Sequence, residues 1–274
     1  MPELPEAETI VRDLRRRVPG HCVTGLKVTH ADVLGPGLNP RRLARELKGL
    51  CFRDVGRRGK NVVLHFDRDR VLAVNLGMTG RLVVSESPRA AELRHVAVRL
   101  DLDDGHALLY DDTRRFGRLE LHTTATWAER SAELGLEPLA PEFTAAALHK
   151  LAGASRTRIR NWLLDQRRVA GVGNIYANEA LFRAGVHPAR PANCMSAREA
   201  AKLRDALVAV LTEAIAARGT TLSDYRDAAG EAGGFEPRLQ IYGREGEPCP
   251  VCGQTIQRVV LTNRSAFFCP RCQR

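Results

Sequence analysis

The 274-residue chain has no run of roughly 18 or more apolar residues, so no segment is expected to cross a bilayer as a helix. A secretory signal is missing as well. Met1-Pro2-Glu3-Leu4-Pro5-Glu6 is acidic and broken by prolines, whereas a signal needs a basic start and an apolar stretch. A cytoplasmic or nucleoid-associated protein follows. There is no internal repeat and no long low-complexity linker, which excludes solenoids and arrays.

What is present is a chain long enough for two compact units and an appendage, with 44% hydrophobic residues to fill their cores. Lys and Arg number 42 against 32 Asp and Glu, a formal net charge of +10. Such an excess favours polyanionic partners, because each phosphate neutralised releases counterions. A basic balance is also a plain solubility trait, so charge alone leaves nucleic acid as one of two readings. Of the seven cysteines, Cys249, Cys252, Cys269 and Cys272 form two close pairs near the end. Cys22, Cys51 and Cys194 are scattered and read as small core residues in a reducing compartment.

Apolar positions at helical spacing (Ala7, Ile10, Val11, Leu14) predict a helix over 3–17. Alternating patterns then predict strands at 22–30, 49–55, 61–67, 71–76, 80–84, 94–102, 106–110 and 117–121, a density that fits a sandwich or a barrel. The texture changes near 125–135. Helices are expected at 142–152, 156–166, 175–184 and 197–218, the last opened by a Ser196-Ala-Arg-Glu199 capping box and closed by Gly219. Residues 226–236 read as a mobile loop.

Four constellations carry chemistry. Cys249-Pro-Val-Cys252 and Cys269-Pro-Arg-Cys272, 16 residues apart, place four thiolates on one tetrahedral ion. A redox CxxC would need a thioredoxin-like βαβ context, which is absent. Four thiolates leave no open position, so one structural zinc is expected, with a β-hairpin between the pairs presenting Arg258 or Arg264. The second is the N-terminus. Removal of Met1 would leave Pro2 with a free secondary amine, whose pKa near ~8 keeps a fraction neutral and nucleophilic. Glu3 could shuttle protons and Glu6 lies one turn on. Pro and Glu also favour helix starts for structural reasons alone. The third is Gly171-Val-Gly173-Asn174, a glycine turn into a helix whose N–H groups could hold phosphate, or simply a tight helix connection. The fourth is a pair of basic turns, Arg57-Arg58-Gly59-Lys60-Asn61 and Asp111-Asp112-Thr113-Arg114-Arg115-Phe116-Gly117. An Arg close to an aromatic can push into a base stack. Met78, in a loop between strands, reads by itself as core filler.

Taken in order along the whole chain, MPELPE, RRGKN, NLGMTG, RRFG, VAGVGNIYANEALFRAGVHP, GTTL, LQIYGREGEPCPVCG and CPRCQR resemble the formamidopyrimidine-DNA glycosylase family. The related endonuclease VIII branch begins MPEGPE, so Leu4 favours the formamidopyrimidine branch. The resemblance implies an α+β protein: an N-terminal β-sandwich bearing the first helix (1–130), a helix–two-turn–helix domain (131–235) and a zinc finger (236–274). DNA would lie in the cleft between the domains. It implies Pro2 as nucleophile, Glu3 as acid–base partner and Glu6 as support for the first helix. Lys60 would act on the phosphate and in elimination. Met78, Arg114 and Phe116 would fill the gap left by an extruded base. Asn174 and Arg264 would bind flanking phosphates, Arg264 as part of the catalytic set, and Glu179 would lie near the base pocket and the N-terminal amine. The partner implied is double-stranded DNA carrying damaged bases or abasic sites, bound by a monomer.

Departures from the family pattern are plain. HLGM reads Asn75-Leu-Gly-Met78, DPRRFG has Thr113 for Pro, and the hairpin GQR reads Thr262-Asn263-Arg264. A lysine-rich cluster reads Arg156-Thr-Arg158-Ile-Arg160. The lesion-reading loop, 228–235, lacks a Tyr before Phe235 and carries Glu231 where a basic residue can occur. The implied activity is removal of oxidised or ring-opened purines with strand cleavage. Oxidised pyrimidines, alkylated bases, or a non-catalytic damage-binding role are the alternatives.

Overall fold

The computed structural model describes residues 2–86, 93–221, 225–228 and 231–274. Met1 lies outside the described residues, as do positions 229–230 of the predicted loop. No described helix is long and apolar enough to cross a membrane. The chain divides into two compact units, residues 1–132 with 217–234, and 133–216 with 235–274.

The first unit begins with α1 (Leu4–Arg15). Among the described residues eight antiparallel strands follow: β1 (Val23–Val28), β2 (Phe52–Arg58), β3 (Asn61–Phe66), β4 (Arg70–Asn75), β5 (Arg81–Glu86), β6 (Val96–Leu102), β7 (His106–Asp111) and β8 (Arg118–His122). They form two separate sheets, ordered β1-β6-β7-β5 and β2-β3-β4-β8. Val23, Leu100, Leu108 and Tyr110 from the first sheet share one core with Val55, Val62, Leu64, Leu72 and Val74 from the second. Of the sandwich and barrel left open by the strand pattern, this is a sandwich. Ile10, Val11 and Leu14 of α1 are buried in the same core, each side chain contributing about 1.5–3 kcal/mol by leaving water.

Two helices have no counterpart among the expected elements. In α2 (Pro40–Leu47), Asn39 caps the start by accepting from the Arg42 amide, and Pro40 suits the first turn. Leu43 and Leu47, four apart, are fully buried. In α3 (Thr124–Ala132) no residue is buried, so no apolar stripe announces it.

The scattered cysteines require a correction. Cys22 and Cys51 do not sit as separate reduced core residues; they form a disulfide. They face each other across an antiparallel bridge. The flanking bonds, Val23 N to Leu50 O and Phe52 N to His21 O, make theirs the non-hydrogen-bonded pair, in which side chains approach most closely. Cys194 is exposed, not core.

The second unit holds α4 (Ala145–Gly153), α5 (Ile159–Leu164), α6 (Asn174–Ala184), α7 (Ala197–Ala216) and the hairpin β9 (Gln257–Leu261) and β10 (Arg264–Phe268). Helix α5 is shorter than its pattern predicted. Arg158 pairs with Pro191 in a bridge, and Ile159 N and Arg160 N donate to Arg190 O and Pro188 O, so the chain before α5 is extended.

The Ser196–Glu199 capping box opens α7 as expected. Glu199 Oε2 accepts from the Ser196 amide and hydroxyl, both at 2.8 Å, and the carboxylate pairs with Arg190 at 2.6 and 2.9 Å. The Arg190 guanidinium above all, then Ser196, outweighs partial burial and pulls the Glu199 carboxyl down to about 2. A depressed folded-state pKa stabilises above the unfolded value and ceases to do so as pH falls. Urea midpoints should therefore drop as pH falls from 4.5 towards about 2. Glu199→Gln should flatten that part of the profile; an unchanged slope in the variant would remove the assignment.

Candidate active site and nucleic-acid interface

In the first unit Pro2 and Glu3 are buried at the start of α1. Glu3 is the N-cap and forms a capping box with Glu6, whose Oε2 accepts from the Glu3 amide at 2.8 Å. The other oxygen, Oε1, accepts from the Thr220 amide at 2.8 Å. Gly219, at φ +86°, lies so near that an added Cβ would come within 3.0 Å of the Glu6 side chain. Glu6 thus fastens the helix start to the 217–234 segment. A second tie is an ion cluster in which Arg218 bridges Asp13 of α1 and the buried Asp227. Two nearly inaccessible carboxylates at a helix N-terminus gain from the positive end of its dipole.

Lys60 sits in the two-residue turn between β2 and β3, with Gly59 at φ +57° taking the left-handed position. Arg57 ties this turn to α1. Its Nε donates to Glu8 Oε2 at 3.0 Å, and its Nη1 donates to the Gly59 carbonyl at 2.9 Å. On the other side Asn61 donates to Arg58 O and accepts from Asn75 Nδ2, while Asn75 Oδ1 accepts from the Gly77 amide. Asn75, which stands where the resembled family carries His, uses both halves of its amide to join the Lys60 turn to the loop carrying Met78. Met78 is half-buried in that loop. Arg114 and Phe116 are exposed on the 112–117 turn, the guanidinium 4.8 Å over the ring.

In the second unit Gly173 caps α6 and Asn174 is its first residue. Arg160, 1% exposed, organises the surroundings. It donates to Asn174 Oδ1 at 2.6 Å, to Leu261 O at 3.1 Å and to Ser265 O at 3.0 Å. Asn174 Nδ2 also donates to Ser265 O. One buried guanidinium therefore joins α5, the start of α6 and both strands of the β9–β10 hairpin. Thr262 and Asn263 turn the hairpin at positive φ and leave Arg264 exposed beside them. An open groove of about 490 Å³ runs between Arg160, Asn161, Thr262 and Arg264. Glu179 is fully buried, and its carboxylate accepts from the amides of Gln240, Ile241 and Tyr242 at 2.9–3.1 Å. In this unit its chemistry is that of an anchor for the chain entering the cysteine region.

The four paired cysteines converge, all Sγ atoms lying within 4.8 Å of one another. Cys249 and Cys272 are 3.9 Å apart, Cys252 and Cys269 3.5 Å. Tetrahedral zinc with Zn–S near 2.3 Å requires about 3.8 Å between sulfurs, so the set fits one zinc ion. The other grouping of possible ligands among the described residues is His21 with Asp103 and Asp104. There His21 Nδ1 lies 3.0 Å from Asp103 Oδ1 and Nε2 lies 3.4 Å from Asp104 Oδ2.

The organising roles of Asp112, the Arg57–Glu8 pair and the 217–234 segment were not legible in the sequence, where Asp112 and Arg57 stand only as members of basic turns and 226–236 reads as a loop.

Three family models match the chain in succession. The chain matches the family models described as formamidopyrimidine-DNA glycosylase N-terminal domain over residues 1–119 and formamidopyrimidine-DNA glycosylase H2TH domain over 134–226. A third, zinc finger found in FPG and IleRS, matches 246–274. It is 42% identical over 274 residues to a formamidopyrimidine-DNA glycosylase of Chloroflexus aurantiacus, covering 100% of this chain and 98% of that one. Among solved structures it is similar to MutM (FPG) from Thermus thermophilus, at 39% identity and TM-score 0.87 over 99% and 98% of the two chains. It is also similar to a Lactococcus lactis FPG mutant in complex with a Fapy-dG containing DNA, at 30% identity and TM-score 0.93 over all of both chains.

Proposed function

The chain belongs to the formamidopyrimidine-DNA glycosylase family of base-excision repair, and from that premise we propose that it is a bifunctional glycosylase and abasic-site lyase acting through Pro2. The observation that carries this reading is the buried Pro2–Glu3 end of α1, with the Lys60 turn fastened to the same helix through Arg57 and Glu8. The substrate class is double-stranded DNA bearing an oxidised or ring-opened purine; a similar structure holds a Fapy-dG containing DNA.

Chemistry at C1′ is blocked inside the base stack, so the damaged nucleotide must be extruded. Met78, Arg114 and Phe116 fill the space it leaves. With Met1 removed, the Pro2 nitrogen lone pair attacks C1′ as the glycosidic bond breaks, and the bonding electrons depart with the base, which takes up a proton. Glu3 passes a proton to the sugar and opens the ring, giving an iminium. Loss of a C2′ proton expels the 3′ phosphate, and a second elimination expels the 5′ phosphate. Lys60 holds a phosphate through these eliminations, and Asn174 and Arg264 grip flanking phosphates. Zinc supplies no step; held by four thiolates, it supports the hairpin that carries Arg264.

Borohydride trapping tests the proposal. Processed protein is mixed with duplexes bearing a formamidopyrimidine, 8-oxoguanine, thymine glycol or an abasic site. A reduced adduct on the N-terminal peptide is expected with the abasic duplex and, fastest among lesions, with the formamidopyrimidine. Fastest trapping on thymine glycol would move the substrate to oxidised pyrimidines. Tight binding without any adduct would replace the enzyme with a damage-binding protein.

A further inference from the structure

We infer that Asp112 is a positioning residue whose buried carboxylate clamps the 76–80 loop and the 112–117 turn into one rigid wedge, so that Met78, Arg114 and Phe116 meet a base stack as a preformed set. This rests on the proposed role of those three side chains in filling the space of an extruded base.

The pattern of exposure comes first. Asp112 and Gly117 are buried, while the four residues between them are exposed. A turn with buried ends and an exposed tip is held from below. Asp112, at 0% exposure, does the holding with both oxygens. Oδ1 accepts from the Thr79 hydroxyl at 2.5 Å and from the Arg114 amide at 3.3 Å. Oδ2 accepts from the Tyr110 hydroxyl and the Gly117 amide, each at 2.9 Å. The Thr79 hydroxyl in turn accepts from the Arg114 amide at 3.0 Å. Three backbone regions (Thr79 after Met78, Arg114, and Gly117 after Phe116) are thus pinned to one side chain.

Steric contact repeats the message. An added Cβ at Gly77 would lie 2.5 Å from the backbone between Phe116 and Gly117, and one at Gly117 would overlap the Tyr110 hydroxyl. The two loops touch backbone to backbone with no space for a side chain between them. Arg115 is held at φ +55°, a conformation that a non-glycine residue keeps only when its surroundings impose it. Thr113 has no ring to stiffen the turn, so restraint comes from the hydrogen bonds below. A wedge ordered before contact loses less freedom on insertion, and its side chains arrive in register.

Asp112→Asn keeps the shape but puts an amide N–H₂ in place of one oxygen, against two donors, one of which is a backbone N–H group that cannot turn away. Tyr110→Phe keeps the ring and removes one donor. Each variant is compared with the wild type in single-turnover excision of the same lesion, fully paired or inside an unpaired bubble where no stack has to be entered. Paired excision should slow by about tenfold or more while bubble excision and abasic-site trapping stay within about threefold. A 2-aminopurine neighbour should report slower extrusion. Equal losses on paired and bubble substrates, or no loss on either, would overturn the clamp. Should Asp112→Asn fail to fold, Tyr110→Phe decides by the same comparison. Phe116→Ala separates the two levels. If it fails to discriminate paired from bubble DNA, the wedge itself is wrong; if it discriminates and the clamp variants do not, only the positioning role of Asp112 fails.

Discussion

Protein whose Pro2 nitrogen is blocked, by retained Met1 or by an added acyl group, should lose base excision and abasic-strand cleavage together, by about three orders of magnitude or more in single-turnover rate, if Pro2 is the nucleophile proposed above. Acylation turns the nitrogen into an amide, whose lone pair is delocalised into the carbonyl and cannot attack C1′. Structure should be spared. The bond that closes the capping box is donated by the Glu3 amide, not by Pro2, and Glu6 keeps its second bond to the Thr220 amide. Melting temperature and affinity for a duplex with an abasic analogue should therefore stay close to those of processed protein. Persistent borohydride trapping by the blocked protein would move the nucleophile elsewhere, with Lys60 the first candidate. Pro2→Gly, which offers a primary amine after processing, should fall between the two.

Removal of zinc has the second-largest expected effect, and it should reach beyond the zinc finger. Cys269→Ser breaks a four-thiolate set, and structural zinc in small fingers contributes on the order of 10–16 kcal/mol to their folding. Without it the β9–β10 hairpin should unfold and take Arg264 with it. If Arg264 makes two charge-assisted contacts to DNA phosphates, as proposed, their loss, together about 3 kcal/mol, should weaken binding about 100-fold. The hairpin also exchanges hydrogen bonds with the helices. Leu261 O and Ser265 O receive the buried Arg160 guanidinium, and Asn178 Oδ1 receives the Phe267 amide at 2.7 Å. Stranding Arg160 should cost the helices of the second unit about 3 kcal/mol. Zinc content falling from one to none, a lower melting temperature and faster amide exchange in α5 and the first turn of α6 are the expected readings. A zinc-free variant with normal DNA affinity and unchanged exchange in α5 would remove both the metal's role and the Arg160 bridge.

The features legible in the sequence are those written in local spacing. Two CxxC pairs converge because each corner already aims its thiolates at a common point. The strands of the sandwich alternate because one face of each sheet is buried. The box at Ser196 and Glu199 closes within a single turn. What stayed hidden depends on contacts between distant segments. Cys22 and Cys51 pair only because the register of two strands sets them opposite each other. Helix α2 hides in a basic stretch where two leucines carry all the burial, and α3 buries nothing. Asp112 looks like one more polar turn residue until Thr79, 33 positions earlier, is seen to donate to it. Glu179 reads by resemblance as a neighbour of the base pocket, and the hydrogen bonds it accepts from the three backbone amides of 240–242 could not be read from local spacing.

The membership of residues 217–234 in the first unit has a bearing on synthesis. A ribosome extrudes the β-sandwich strands early, then the helices of the second unit, and only afterwards the stretch that supplies the Thr220 amide to Glu6 and the Arg218 bridge to Asp13. During that interval the nascent sandwich lacks the hydrogen bond that the Thr220 amide donates to Glu6 in the finished fold. Vectorial translation therefore leaves the region around the N-terminal amine unfinished until about four-fifths of the chain has emerged, the ordering expected when a unit is discontinuous in sequence. A fragment ending at residue 132 lacks the same closure permanently. Cleavage anywhere between the two segments of the first unit separates in sequence what the fold holds together.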